Sequence, residues 1–525
     1  MTMSRYPVQL YFERVDSGLL SSRTNVRDLK ISRFARDDRD HSFAVRSTIL
    51  QLFGLLVLLV LVGMTGCAVG PNYQRPEVTT IPAAYAGMES GWKIAAPTAH
   101  LPRGSWWEVF GDLELNRLET EVTAANQDIK AAVARFEQAR ASADVARSGL
   151  FPRLGGSFLP VRQRDSENRP VGGKPGETYD SFTVPFDLSY EVDLWGRVRR
   201  TVEAAKAQVQ AGAADVESVR LAIQAEVAAD YFAVRALDSD KALLKASIEV
   251  YRKSLELVRN RRAGGMVSDL DVAQAETVLQ TTEAQLPDNE LQRAKFQNAL
   301  AVLTGNNASL FRLPERPLDQ APFVIPPDLP SELLERRPDI AAAEQRMAAA
   351  NANIGVAKAA FFPTIKFNGL TGFQSADVGK LFNAASYLWA AGPTLTLPFF
   401  QGSQLSANLR QAKAAHGEAV AKYRGTVLAA FAEVENNLAA EHLLAREVEQ
   451  VMGAMESARK QLEIANNRYR EGLVTYLEVA TAQNAALTTE RATARLRGQQ
   501  MVAVVALIKS LGGGWQAVEV NGGNP

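Results

Sequence analysis

The sequence predicts a mixed, mainly α-helical protein built as a duplicated helix–hairpin–helix unit. Three observations carry this. The chain matches itself at a shift of about 207 residues, one segment alternates strictly between apolar and polar residues, and proline-free helical runs extend for roughly 100 Å at 1.5 Å per residue.

In chain order, the first feature is an export signal. Residues Ile49 to Val62 read ILQLFGLLVLLVLV behind Arg46. This run is too short to cross a bilayer, which takes about 20 apolar residues, and it fits the apolar core of a secretory signal. Met64-Thr65-Gly66 and then Cys67, the only cysteine among 525 residues, form a lipobox. Cys67 is therefore expected to become the lipidated N-terminus, and Ala68 behind it favours outer-membrane sorting. Several acyl chains anchor stably where one binds only marginally. Residues 1–46 form a largely polar lead, longer than a signal carries, so translation is expected to start further in. Removing residues 1–66 leaves 49 basic and 52 acidic residues, a formal charge near −3.

After an extended segment, 67–111, two homologous units follow, 112–305 and 339–512. A connector, 306–338, joins them, with seven prolines between Pro314 and Pro338, and 513–525 form a tail. Asn260 to Ser268 matches Asn467 to Thr475 at a shift of 207, as do Leu270-Asp271-Val272 with Leu477-Glu478-Val479 and Gly305 with Gly512. Leu150-Phe151-Pro152 matches Phe361-Phe362-Pro363 at a shift of 211.

The strand signal is strongest at 182–194. Phe182, Val184, Phe186, Leu188, Tyr190, Val192 and Leu194 alternate with a polar, acidic set. That suits lipid on one side and water on the other, although a solvated antiparallel sheet alternates in the same way. Weaker strands are expected at Leu154–Pro160, Ile365–Phe373 and Tyr387–Phe399. Four strands cannot close a barrel, which begins at about eight, and open edges in hydrocarbon cost several kcal/mol per unpaired amide. If the strands enter a membrane, copies must share one barrel: two copies give eight strands and three give twelve.

Between Gly402 and Tyr469 no proline interrupts the helix. Leu409, Ala412, His416, Val420, Tyr423, Val427, Phe431, Val434 and Leu438 repeat every eleven residues, and Val448, Met452, Met455, Leu462 and Tyr469 follow a seven-residue repeat. The first period keeps helices nearly straight and the second winds a left-handed coiled coil. Leu244, Ile248, Tyr251, Leu255 and Val258 repeat the seven-residue pattern before the turn of the first unit.

Composition narrows the function classes. Basic and acidic residues both number 58, which leaves no basic excess for nucleic acid. One cysteine excludes a cysteine zinc cluster, and His41, His100, His416 and His442 are scattered. There is no phosphate loop, dinucleotide fingerprint or nucleophile–base pair, so no enzyme and no cofactor is expected.

These features together resemble the outer membrane factors, the TolC-like efflux channels, in their NodT-type lipoprotein branch. The resemblance rests on Cys67 to Tyr73 with Arg75-Pro76, and on Trp106-Trp107, Phe110, Asp112 and Leu115-Asn116. Leu194-Trp195-Gly196-Arg197, the two Arg-x-x-x-Gly-x-Val turns and Tyr476 to Val479 complete it. It covers about 67–514. It implies a homotrimer whose twelve-stranded outer-membrane β-barrel continues as a long periplasmic α-helical barrel, with the connector and chain ends as a belt. The implied function is the passive exit duct of a tripartite efflux system. An inner-membrane pump, of resistance-nodulation-division type, would drive small toxic compounds through a periplasmic adaptor into the duct. The alternatives are a pore-less coiled-coil spacer and a type I secretion duct.

Three sets of residues are singled out. Cys67 takes lipid. Gly264, Gly265, Met266 and Val267, with Gly472, Leu473 and Val474, form turns expected to seat in the adaptor. By resemblance Glu478 joins an acidic ring that narrows the periplasmic end, where three copies would face each other. A second family acid three positions on is Thr481 here, and Asp271 at the other turn is the candidate to compensate.

Overall fold

The structure is a computed structural model, and it describes residues 68–75, 105–168, 176–319 and 337–513. All fall within one compact unit, Gly63–Pro525. Cys67 and most of the connector lie outside the described residues.

Asp112 starts the first α-helix by accepting hydrogen bonds from the amides of Glu114 and Leu115 at the head of α1 (Leu113–Ala125). Asn126 caps α2 (Gln127–Ser148) in the same way. The strands β1 (Arg153–Gly156), β2 (Leu159–Arg164) and β3 (Thr178–Val192) follow, and then α3 (Arg197–Ala263), α4 (Asp269–Glu283) and α5 (Gln285–Leu303). The second unit runs α6 (Pro338–Ala359), β4 (Thr364–Ser375), β5 (Tyr387–Thr396), α7 (Gln404–Arg470) and α8 (Tyr476–Ser510).

The duplication holds to the residue in the long helices. Both α3 and α7 have 67 residues, and each boundary of one is 207 from that of the other. The second unit makes one helix, α8, where the first makes α4 and α5. Pro287 is the reason: it offers no N–H to the Glu283 carbonyl and its ring crowds that turn, so the helix breaks at Ala284. Ala494 stands at the equivalent place in α8 and the helix continues.

The expected strands form, with shifted ends. The alternating run stops at Val192 rather than Leu194, because the Asp193 carboxylate is drawn to the first amides of α3, Val198 and Arg199, at 3.1 and 2.8 Å. The expected 154–160 strand is two short pieces, β1 and β2, in one register against β3. Tyr387–Phe399 ends at Thr396, just before Pro398.

Register joins the alternation of separate strands into one apolar face. Phe182, Val184, Phe186, Leu188, Tyr190 and Val192 stand opposite Ser375, Phe373, Thr371, Gly369, Phe367 and Ile365. Beyond these lie Tyr387, Trp389, Ala391, Pro393 and Leu395. On the other face Gln374 donates to Ser181 at 3.1 Å, and Asn368 to Thr394 at 3.0 Å. Ten residue steps at about 3.3 Å, tilted by roughly 40°, give about 25 Å, the height of the apolar band of outer-membrane barrels. β1 and β2 share one side of β3, and β5 forms the far edge, so both edges of the sheet are open within the chain.

The helices carry the long stripes. Tyr423, Val427, Val434 and Leu438 are buried, and so are Leu244, Ile248, Tyr251, Leu255 and Val258. The two units are nevertheless unequally covered. α3 is buried along most of its length, whereas α7 buries no residue before Tyr423. α6 packs against both α3 and α7, while α2 packs chiefly against α3 and buries only Ile129 and Ala132.

A buried ionic cluster clips the start of the connector to the stem. Asp238, 3% exposed, accepts from Arg293 Nε at 2.6 Å, Arg235 at 3.2 Å and the Arg316 amide at 3.0 Å. The same arginines donate to connector carbonyls, Arg235 to Pro314 at 2.7 Å and Arg293 to Leu313 at 2.9 Å.

Glu119 on α1 has the opposite situation. It is fully buried and both carboxylate oxygens lack a hydrogen-bond partner, so desolvation pushes its pKa well above the ordinary range. A raised folded pKa means that the unfolded chain loses this proton first, so folding weakens as pH rises through the ordinary carboxylate pKa, about 4.3. Glu119→Met is expected to gain about 1–3 kcal/mol near pH 7. The gain should shrink near pH 4, and thermal unfolding at the two pH values measures it.

Candidate functional site

The stem ends in two turns with the same construction. In the first, Gly265 N–H donates to Arg262 O at 2.9 Å and Met266 N–H to Arg261 O at 2.9 Å. In the second, Gly472 N–H donates to Tyr469 O at 3.0 Å and Leu473 N–H to Arg468 O at 2.9 Å. This is the Schellman closure of a helix, and it needs a residue at positive φ. Gly265 and Gly472 supply φ of 70° and 75°.

The turn residues divide by direction. Met266 and Leu473 are 70% and 64% exposed, whereas Val267 and Val474 pack against the core between the hairpins. Leu270 and Leu477, not singled out from the sequence, are also exposed. Their match at a shift of 207 is the available sequence signal, and by itself it marks a repeat rather than a surface.

The hairpins interlock through polar contacts. Arg261 reaches across to donate to Tyr469 O and Arg470 O, both at 2.8 Å, with its guanidinium 4.9 Å above the Tyr469 ring. It caps the negative end of α7. Asp271 Oδ2 accepts from the amide and hydroxyl of its own N-cap, Ser268, at 2.9 and 2.7 Å, and Oδ1 accepts from Tyr476 N–H across the seam at 3.3 Å. Burial raises the Asp271 pKa and these hydrogen bonds more than offset it, so the net direction is downward and the group stays ionised. Asp271 is thus committed within the chain. Glu478 differs: it is exposed, and it meets Arg468 at 3.4 Å. Lys460 and Thr481 line the same groove.

At the other end of the stem, the residues after Cys67 are seated against the junction of strand and helix. Val69 N–H donates to Trp195 O at 2.9 Å, Arg200 to Asn72 at 2.8 Å and Asn351 to Pro71 O at 3.0 Å. Trp195 stacks on Phe362 at 4.6 Å and donates to Pro363 O at 2.8 Å, tying the exit of β3 to the entry of β4. Space is tight: a Cβ on Gly355 would lie 2.9 Å from Val69 O and 2.9 Å from the Arg200 side chain. Gly355→Val is therefore expected to release residues 68–75. Faster hydrogen exchange at the Val69 amide would report it.

Among the described residues no group of His, Cys, Asp and Glu side chains could hold a metal, and no helix is long and apolar enough to cross a membrane.

A family model described as outer membrane efflux protein matches residues 119–306 and 329–513. The chain is 34% identical over 466 residues to the outer membrane protein OprJ of Pseudomonas aeruginosa, covering 88% of this chain and 96% of OprJ. It is 32% identical over 475 residues to the toluene efflux pump outer membrane protein TtgF of Pseudomonas putida, covering 88% of this chain and 97% of TtgF. Among solved structures, the CmeC outer membrane channel of Campylobacter jejuni superposes with a TM-score of 0.80 at 28% identity, over 86% of this chain and 96% of CmeC.

Proposed function

This chain belongs to the outer membrane efflux protein family, and we propose that it works as a homotrimer, lipid-anchored at Cys67, whose two stem turns dock a periplasmic adaptor. It is the outer-membrane channel of a tripartite efflux system. Three copies would place β5 of one chain beside the β1–β2 edge of the next, closing twelve strands into a barrel with no open edge. The observation that carries this reading is the one-sided apolar sheet with two open edges on a stem of two 67-residue helices.

The unequal helix coverage supports the same ring. The packing of α3 with α6 repeats, under the internal shift, as α7 with α2 of the next copy. Those are the helices left bare in the single chain. The seating of residues 68–75 at the foot of the sheet supports an acyl group on Cys67 at the level of the membrane interface. The exposed Met266, Leu270, Leu473 and Leu477 support an apolar docking end. The cargo is a small toxic compound supplied by the pump, of resistance-nodulation-division type. Relatives named for toluene efflux support that class.

The test is a photo-crosslinker at Leu473, irradiated in living cells. Capture of an adaptor supports the duct and identifies its pump. Self-crosslinks alone, with normal outer-membrane expression, would remove the docking assignment.

A further inference from the structure

Within the chain the first hairpin has a seat that the second hairpin fills. Ser254 accepts from Gln483 at 3.4 Å, Arg261 donates to Tyr469 O and Arg470 O at 2.8 Å, and Asp271 accepts from Tyr476 N–H at 3.3 Å. The internal shift carries Ser254, Arg261, Leu270 and Asp271 onto Gln461, Arg468, Leu477 and Glu478. These four line an open groove of about 620 Å³ on the second hairpin, together with Ile464 and Lys460. The groove is the same seat, built in the second unit and empty within one chain. With nothing to grip, Arg468 turns onto Glu478 at 3.4 Å, an exposed pair of the weak kind.

We infer that this groove receives the α3–α4 turn of the next copy, and that Arg468 then leaves Glu478 to cap the incoming helix. The contacts follow from the shift. Arg468 would donate to the carbonyl oxygens of the partner's Arg262 and the partner's Ala263, the equivalents of Tyr469 and Arg470. Gln461 would face the partner's Glu276, the equivalent of Gln483. Two charge-assisted hydrogen bonds to the negative end of a helix are stronger than one exposed ion pair, so assembly favours the exchange.

The exchange has a consequence for the pore. In the single chain Glu478 is paired with Arg468. In the ring it leaves Arg468, and the shift sets it at the N–H of the partner's Asp269, as Asp271 is set at Tyr476 N–H, so three carboxylates without a basic partner collect at the periplasmic end. The acidic ring is then created by assembly. The inference rests on the trimer reading and adds the residues that close its seam.

The experiment uses thiol pairs in the full-length, membrane-extracted protein with a short thiol-reactive crosslinker. Ser254→Cys with Gln483→Cys is the within-chain control and should run as a monomer. Gln461→Cys with Glu276→Cys should give covalent dimer and trimer at a comparable rate. Each single-cysteine variant should give neither. Adding Arg468→Ala should lower the interchain yield several-fold and leave the control unchanged. If light scattering shows a trimer and the control reacts while the 461/276 pair does not, the groove assignment is wrong and the trimer stands. If light scattering shows a monomer, the ring reading falls and the groove assignment with it.

Discussion

Leu473→Asp is expected to leave trimer formation and outer-membrane location intact and to reduce export to the level of a strain lacking the gene. Leu473 sits at the second turn, 64% exposed, and its side chain makes no contribution to the core between the hairpins. Its backbone closes the helix through an N–H bond to Arg468 O that any residue can make. The substitution therefore spares the fold. An adaptor that buries this position would have to desolvate an unpaired carboxylate, at a cost of about 3 kcal/mol or more, roughly a hundredfold in affinity. Leu473→Met should retain export. Susceptibility to exported compounds measures function, and native electrophoresis of the extracted protein measures assembly. Unchanged export in the Asp variant would sink the docking role of the turn. Met266→Asp, at the equivalent place in the first unit, tests whether both turns are used.

The second large effect is on stability. Asp238→Ala is expected to cost about 3–5 kcal/mol, because it strands two guanidinium groups in the interior. Arg235 and Arg293 approach the Asp238 carboxylate from α3 and α5, and the same carboxylate holds the Arg316 amide of the connector. Losing it should also loosen the connector, since both arginines donate to connector carbonyls. Two measurements separate these effects: the unfolding midpoint of the extracted trimer, and the rate of protease cleavage around Arg312–Arg316. Asp238→Asn should lie between the variant and the parent, because the amide keeps one acceptor oxygen and removes the charge. A midpoint unchanged within error in Asp238→Ala would mean that the buried pairs contribute no net stability.

Much of this architecture is legible in the sequence because periodicity is a local property. The alternation from Phe182 to Val192 requires one face apolar whatever the neighbours are. The eleven- and seven-residue stripes likewise fix which side of α7 and α3 turns inward, and Tyr423, Val427, Leu244 and Leu255 are buried accordingly. The internal repeat fixed the equivalence of the two turns, down to the glycine with positive φ in each. Even the count of strands was sufficient to require more than one copy in a membrane, since edges cannot stay open in hydrocarbon.

What the sequence alone left undecided depends on residues distant along the chain. Arg261 and Tyr469 are 208 positions apart, and nothing local in either predicts that one caps the helix of the other. Nothing local in Asp271 predicts that its oxygens are taken up by Ser268 and by Tyr476 on the other hairpin. Met266 and Val267 are neighbours of similar chemistry, and only the packing of the hairpins turns one outward and the other inward. The strand stops at Val192 because a helix start competes for Asp193. Local pattern set the elements of this chain and their inner faces. The tertiary structure decided which of the remaining side chains are consumed in holding the two units together and which, like Leu473 and Glu478, stay exposed. A side chain's availability is fixed by what reaches it in space.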